Sequence, residues 1–174
     1  MNTSIILSGF GGQGALFAGQ LLTYAGMDCG YNVTWYPSYG PEMRGGTAHC
    51  TVIISDDEIG AAIVFNTPSF KKYEPLVEPG GLLVVNSSII EEHSSRTDME
   101  TIYLPANTIA EEHGSAKMMN MAALGAMLAK RPIFELQVLE QTLKDHLPAN
   151  KAHLLESNFL VLRQGYEIGS AVAA

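Results

Sequence analysis

The sequence predicts an α/β fold: a doubly wound, mostly parallel sheet with helices on both faces and a helical C-terminal third. Three observations lead there. Short, continuously apolar stretches such as "LLVVNS" (82–87) alternate with longer stretches of helical period, the pattern of parallel strands covered on both sides. A glycine turn, "GFGGQG" (9–14), joins the first strand to the first helix. The last third carries three apolar stripes at helical spacing. With 174 residues and no linker or repeat, the chain reads as a single domain, 1–174, large enough to bury a proper core.

Each element has a local reason. "TSIILS" (3–8) reads as a buried strand. A helix follows, with Leu16, Gly19, Leu22 and Gly26 on one face and Gly30 as its stop. "YNVTWYP" gives a second strand, ended by Pro37, so that β-α-β closes in about the length of one parallel crossover unit. Strands are expected at 48–55 and 61–66, then a helix opened by Thr67-Pro68 and closed through Pro75, Pro79 and Gly80. A fifth strand at 82–87 and a short edge strand at 100–106 complete the sheet. Thr108 and Glu111 have the spacing of a capping box. The helical third shows stripes at Met118/Met121/Ala122/Gly125/Leu128, Leu136/Leu139/Leu143/Leu147 and Leu155/Phe159/Leu162/Tyr166, the last with Asn150 as its expected N-cap.

Composition narrows the function. Charged residues are only 16% of the chain against 47% hydrophobic ones, a balance expected of a surface partly hidden by a partner. The net charge of −8 and the lack of any basic run argue against nucleic acid. No apolar run approaches the roughly 20 residues of a membrane helix, and the N-terminus has no signal-peptide pattern, so a cytoplasmic location is expected. Cys29 and Cys50 are isolated and fit neither a metal knuckle nor an iron–sulfur run. No metal site and no catalytic acid or base is expected on this chain.

Two motifs carry chemistry. In the first, Gly9, Gly11 and Gly14 have the spacing of a dinucleotide loop, and Gly11, Gly12, Gln13 and Gly14 can offer donors to a phosphate at a helix N-terminus. The acidic residue that should hold a ribose about 20 positions on is missing. The second strand ends Trp35-Tyr36-Pro37, and Asp28 comes too early. The second motif, "YPSYGPEMRGGTAHC" (36–50), lies where a crossover helix would normally run, and its glycines and prolines forbid one. It forms a loop at the carboxyl ends of the strands, where open α/β sheets bind ligands. Tyr39, Glu42, Arg44, Gly45 and Gly46 are its candidate binding residues, Arg44 as a bidentate anion contact. Glu42 and Arg44 could equally pair with each other. His49 follows this loop into a strand and reads as buried or partner-facing.

The two motifs in this order, with "MMNMAALGAML" and its Asn120 and Gly125 later on, resemble the gamma subunit of 2-oxoacid:ferredoxin oxidoreductases over nearly the whole chain. Those enzymes act on 2-oxoglutarate, pyruvate, branched-chain 2-oxoacids or indolepyruvate. The resemblance implies oxidative decarboxylation of a 2-oxoacid, with 2-oxoglutarate favoured, to an acyl-CoA, with electrons passed to ferredoxin. It implies alpha, beta and ferredoxin-like partner subunits that hold the thiamine diphosphate and the iron–sulfur clusters. This chain would hold no cofactor alone, with coenzyme A as its candidate guest, and would be inactive alone and able to self-associate. Two other readings remain open at this point. One is a scaffold subunit that binds nothing small, and the other an independent nucleotide-binding oxidoreductase.

Overall fold

The computed structural model describes residues 3–31, 33–39, 47–53 and 59–172. Strand β1 (Ser4–Phe10) runs through the middle of a six-stranded sheet of order β2-β3-β1-β4-β5-β6. Its other members are β2 (Thr34–Tyr39), β3 (Thr47–Ile53), β4 (Ile59–Val64), β5 (Val77–Asn86) and β6 (Glu100–Leu104). β1, β4, β5 and β6 are mutually parallel, and β6 is an edge strand as expected. Residues 82–86 of β5 are all buried, which is why they read as a continuous apolar run.

The first β-α-β unit forms as expected, with β2 running parallel to β1 after the first helix, but the two strands are not adjacent. β3 lies between β1 and β2 and is antiparallel to both. Only seven residues, 40–46, separate β2 from β3. A parallel crossover needs a dozen or more, so the chain must turn back as a hairpin.

The helices are α1 (Ala15–Asp28), α2 (Thr67–Tyr73), α3 (Ala106–Glu112), α4 (Met119–Lys130), α5 (Leu136–His146) and α6 (Leu155–Ala171). Helices α1 and α3 to α6 share the larger core with Ile5, Leu7, Ile63, Leu82 and Val84. Helix α2 and the 87–99 segment cover the other face through Phe70, Tyr73 and Ile90, against Ile6, Val64 and Val85. Helix α4 is buried from Met119 to Leu128 because α6 closes over it. Among the described residues no helix is long and apolar enough to cross a membrane.

Helix ends follow their chemistry with three exceptions. Gly30 stops α1 in a left-handed conformation (φ 80°), with the Tyr31 N–H returning to the Gly26 carbonyl. Asn66 caps α2 by accepting from the Ser69 N–H at 2.9 Å, one position ahead of the expected Thr67 start. Thr108, however, lies inside α3, which begins after Pro105, so Thr108 and Glu111 form no capping box. Asn150 is likewise not an N-cap. It falls in a 3-10 turn (Ala149–Leu154) that leads into α6. Pro79 and Gly80, expected to terminate a helix, lie in β5, where the register with β4 jumps from Ile59↔Val77 to Ala61↔Leu82. The left-handed Gly80 (φ 79°) allows that bulge.

Cys50 is fully buried beneath α1, its thiol donating to the Ala15 carbonyl at 3.4 Å, and burial pushes its pKa up to about 11. Cys29 is exposed at the end of α1. Iodoacetamide at pH 8 is therefore expected to label Cys29 alone in the native chain, with Cys50 reacting only after denaturation, as read by peptide mass spectrometry.

Candidate functional site

The glycine loop leaves β1 at Phe10 and re-enters structure as α1, and its shape is set by three carboxamides. Gln13 turns inward. Its Oε1 accepts from the Phe10 N–H and from Asn66 Nδ2 (3.2 Å), and its Nε2 donates to the Phe65 carbonyl (3.3 Å). Gly9 makes room for this, since a Cβ there would lie 2.6 Å from Gln13 Oε1 and 3.2 Å from Phe65 Cβ. Gln13 thus holds the loop together, using its amide oxygen and one of its two amide hydrogens.

Gly12 and Gly14 have positive φ (97° and 77°), a conformation that favours glycine. Gly14 is the N-cap of α1 and offers no side chain to the first turn. The N–H groups of Ala15, Leu16 and Phe17 have no intrahelical acceptor, as in any first helical turn. Gly14 is also packed closely, but against Asn120 of α4, whose Nδ2 donates to the Gly14 carbonyl at 3.3 Å. The tight helix-to-strand contact of the dinucleotide pattern moves to Gly19, which leaves no space for a methyl beside the Cys50 sulfur.

Beside this loop opens a cavity of about 440 Å³, lined among others by Gly12, Gly14, Phe17, Lys117 and Lys151. Phe17, Met118, Leu147 and Leu154 give it apolar walls. Asn120 and Asn158 are buried at its surface. Each spends its amide N–H₂ on a backbone carbonyl, Gly14 for Asn120 and Leu154 for Asn158. Their side-chain carbonyl oxygens have no hydrogen-bond donor among the described residues. Lys117 and Lys151 are exposed at its mouth, and no carboxylate among the described residues lines it. In a chain of net charge −8 this is a locally positive hollow at a helix N-terminus, with the chemistry of an anion site. A cavity of about 450 Å³ beside Thr67 and Ile89 has the opposite chemistry, being lined by Glu91 and Glu92.

The hairpin brings the second motif to the same end of the sheet. Phe10 pairs with Thr47, Gly9 with Ala48, and Tyr39 with Ala48 from the other side. Both ends of segment 40–46 are therefore held next to the glycine loop. A smaller hollow of about 220 Å³ lies there, lined by Phe10, Gly11, Gly12 and Ala48 among others. Glu42, Arg44, Gly45 and Gly46 lie outside the described residues, and of Tyr39 only the backbone is described. Sequence reasoning missed Lys117, Lys151, Phe17 and Asn158. They come from three separate segments and share no spacing, so only the fold brings them together.

A mostly parallel α/β domain with a phosphate-type glycine loop, no ribose carboxylate and no cluster of metal ligands among its described residues defines a narrow class. The chain belongs to the pyruvate ferredoxin/flavodoxin oxidoreductase family, whose model matches residues 4–168. Ketoisovalerate oxidoreductase subunit VorA of Methanothermobacter marburgensis is 38% identical over 131 residues, 71% of this chain and 27% of VorA. The chain thus spans about a quarter to a third of the VorA relatives' length. 2-Oxoglutarate synthase subunit KorC of Archaeoglobus fulgidus is 30% identical over 177 residues, covering 97% of this chain and 89% of KorC. The keto/oxoacid ferredoxin oxidoreductase gamma subunit from Geobacter sulfurreducens superposes with a TM-score of 0.85 at 28% identity, over 98% of this chain and 99% of that one. The fold also recurs, at a TM-score of 0.88 and 23% identity, over 99% of this chain and 32% of a chain of the 2-oxoglutarate:ferredoxin oxidoreductase from Magnetococcus marinus. That structure was solved with 2-oxoglutarate, coenzyme A and succinyl-CoA bound.

Proposed function

We propose that this chain is the gamma subunit of a multisubunit 2-oxoacid:ferredoxin oxidoreductase, and that it receives coenzyme A at the glycine-loop cavity. The single observation behind this is the meeting of a phosphate-type loop, two lysines and apolar walls in one hollow, with no carboxylate among the described residues that line it. Coenzyme A combines those chemistries, with a diphosphate and a further phosphate beside an adenine ring. Lys117, Lys151 and the first-turn N–H groups of α1 suit the phosphates. Phe17, Met118 and Leu154 suit the ring, and the carbonyl oxygens of Asn120 and Asn158 suit its amino group.

In this reading coenzyme A supplies the thiol that accepts the acyl group. The residues of this chain bind and orient it, and none acts as acid or base. Thiamine diphosphate and the iron–sulfur clusters belong to alpha, beta and ferredoxin-like partners, and ferredoxin takes the electrons. Full-length matching to KorC supports 2-oxoglutarate as the favoured substrate. The protein acts in the cytoplasm.

The test is reconstitution with the partner subunits, following ferredoxin reduction with 2-oxoglutarate, pyruvate and 2-oxoisovalerate. Activity is expected to need this chain and coenzyme A, with the highest kcat/KM for 2-oxoglutarate. Full activity without this chain would refute the proposal. Arg44→Ala in the same system is expected to raise the KM for coenzyme A about tenfold, the loss of one charge-assisted contact. Unchanged assembly and unchanged coenzyme A dependence would remove Arg44 from the site.

A further inference from the structure

On the sheet face opposite α1 and α4 a second, smaller cleft lies between β1, β3 and α2. Its volume is about 150 Å³, and it is lined by Ser8, His49, Pro68, Ser69, Lys72 and Tyr73. Ser8 and His49 are neighbours across the β1–β3 ladder, and both face α2.

The polar groups of this cleft are donors in excess. Ser8 and Ser69 are each 3% exposed, and their hydroxyls lie 2.8 Å apart. Two hydroxyls bring two protons, and the bond between them uses one. The second finds no acceptor among the described residues. The His49 ring rests against Tyr73, with centroids 5.8 Å apart, and has no hydrogen-bond partner among the described residues. Burial, reinforced by Lys72, holds its pKa below the usual histidine value, so at neutral pH it keeps one ring N–H to donate. The Lys72 ammonium stands 4.9 Å from the Tyr73 ring centroid and has no carboxylate partner among the described residues. No acidic side chain among the described residues lines the cleft. An unspent buried donor is costly, and a cation without a counterion beside it raises the demand for an acceptor.

We infer that this cleft is a binding site for a small oxyanion, a short-chain carboxylate or inorganic phosphate, held by the Ser8/Ser69 hydroxyl pair, His49 and Lys72. Three elements supply the donors, while Pro68 and the Tyr73 ring supply an apolar wall for a short carbon chain. The volume excludes a nucleotide, so the site is separate from the glycine-loop cavity and independent of the function proposed above.

The full chain, with its histidine ring nuclei observed by NMR, is titrated separately with acetate and with phosphate. Sodium chloride at matched ionic strength serves as the control. A saturable shift of the His49 signals with either oxyanion, absent with chloride, is expected, and which of the two saturates identifies the guest. Lys72→Met, a change at an exposed position, is expected to weaken that binding about tenfold or more. Ser8→Ala is expected to weaken it as well. Lack of a saturable His49 shift with both anions, or equal affinity in the Lys72→Met chain, overturns the inference.

Discussion

The Gly165→Ala chain is expected to melt about 6–12 °C below the parent, a loss of about 3 kcal/mol. Helices α4 and α6 meet backbone to backbone. A methyl on Gly165 would fall inside the Ala122 carbonyl, one on Gly125 inside the Leu162 carbonyl, and one on Gly169 within 2.6 Å of the Ala126 carbonyl oxygen. No side chain in this seam can swing aside, because the obstacles are main-chain atoms, so relief requires the helices to separate. Separation exposes Met121, Leu124, Leu128, Val161 and Leu162, all buried in the parent. Far-UV circular dichroism during heating reads the change. Glu167→Ala, on the solvent side of the same helix, is expected to stay within about 0.5 kcal/mol of the parent. The damage should also reach the site, since α4 carries the Asn120 that props the Gly14 carbonyl.

Replacing both Lys117 and Lys151 by alanine is expected to weaken coenzyme A binding about a hundredfold at low salt, the loss of two charge-assisted phosphate contacts. Both side chains are exposed, so the fold should be untouched, and thermal melting checks that. Calorimetry on the reconstituted complex gives the affinity. Pantetheine, which lacks the phosphates, should bind both forms alike. Added salt should erode the parent's advantage, since exposed charges are screened within about 10 Å at 0.1 M. If the double variant binds coenzyme A as the parent does, the phosphates lie elsewhere.

The elements were readable wherever local chemistry decided them. The run at 82–86, the α1 stop at Gly30 and the buried stripe of α4 each follow from periodicity or from a single residue's conformational freedom. What could not be read was pairing between distant segments. The connection from β2 to β3 read as a loop because its glycines and prolines break a helix, yet nothing in the sequence showed that β3 would pair antiparallel between β1 and β2. Pro105 opens α3 where Thr108 looked the better cap, because the turn out of β6 fixes the start of that helix. The same holds at the site. The glycine loop was visible as a pattern, but Gln13's inward role depends on Asn66, 53 positions away. The lysines at the cavity mouth belong to segments that no spacing rule connects.

The antiparallel insertion of β2 and β3 bears on how such a domain can diversify. The parallel strands β1, β4, β5 and β6 carry most of the buried sheet core, while β2 and β3 join it as an antiparallel pair at one edge. Change at that edge strand can therefore accumulate over evolutionary time without re-registering the parallel ladder. The glycine loop has no such latitude, tied as it is to Asn66, Phe65 and Asn120. The loop is thus frozen while the β2 edge of the sheet is not, an arrangement that lets related chains keep a common guest while acquiring different neighbours along that edge.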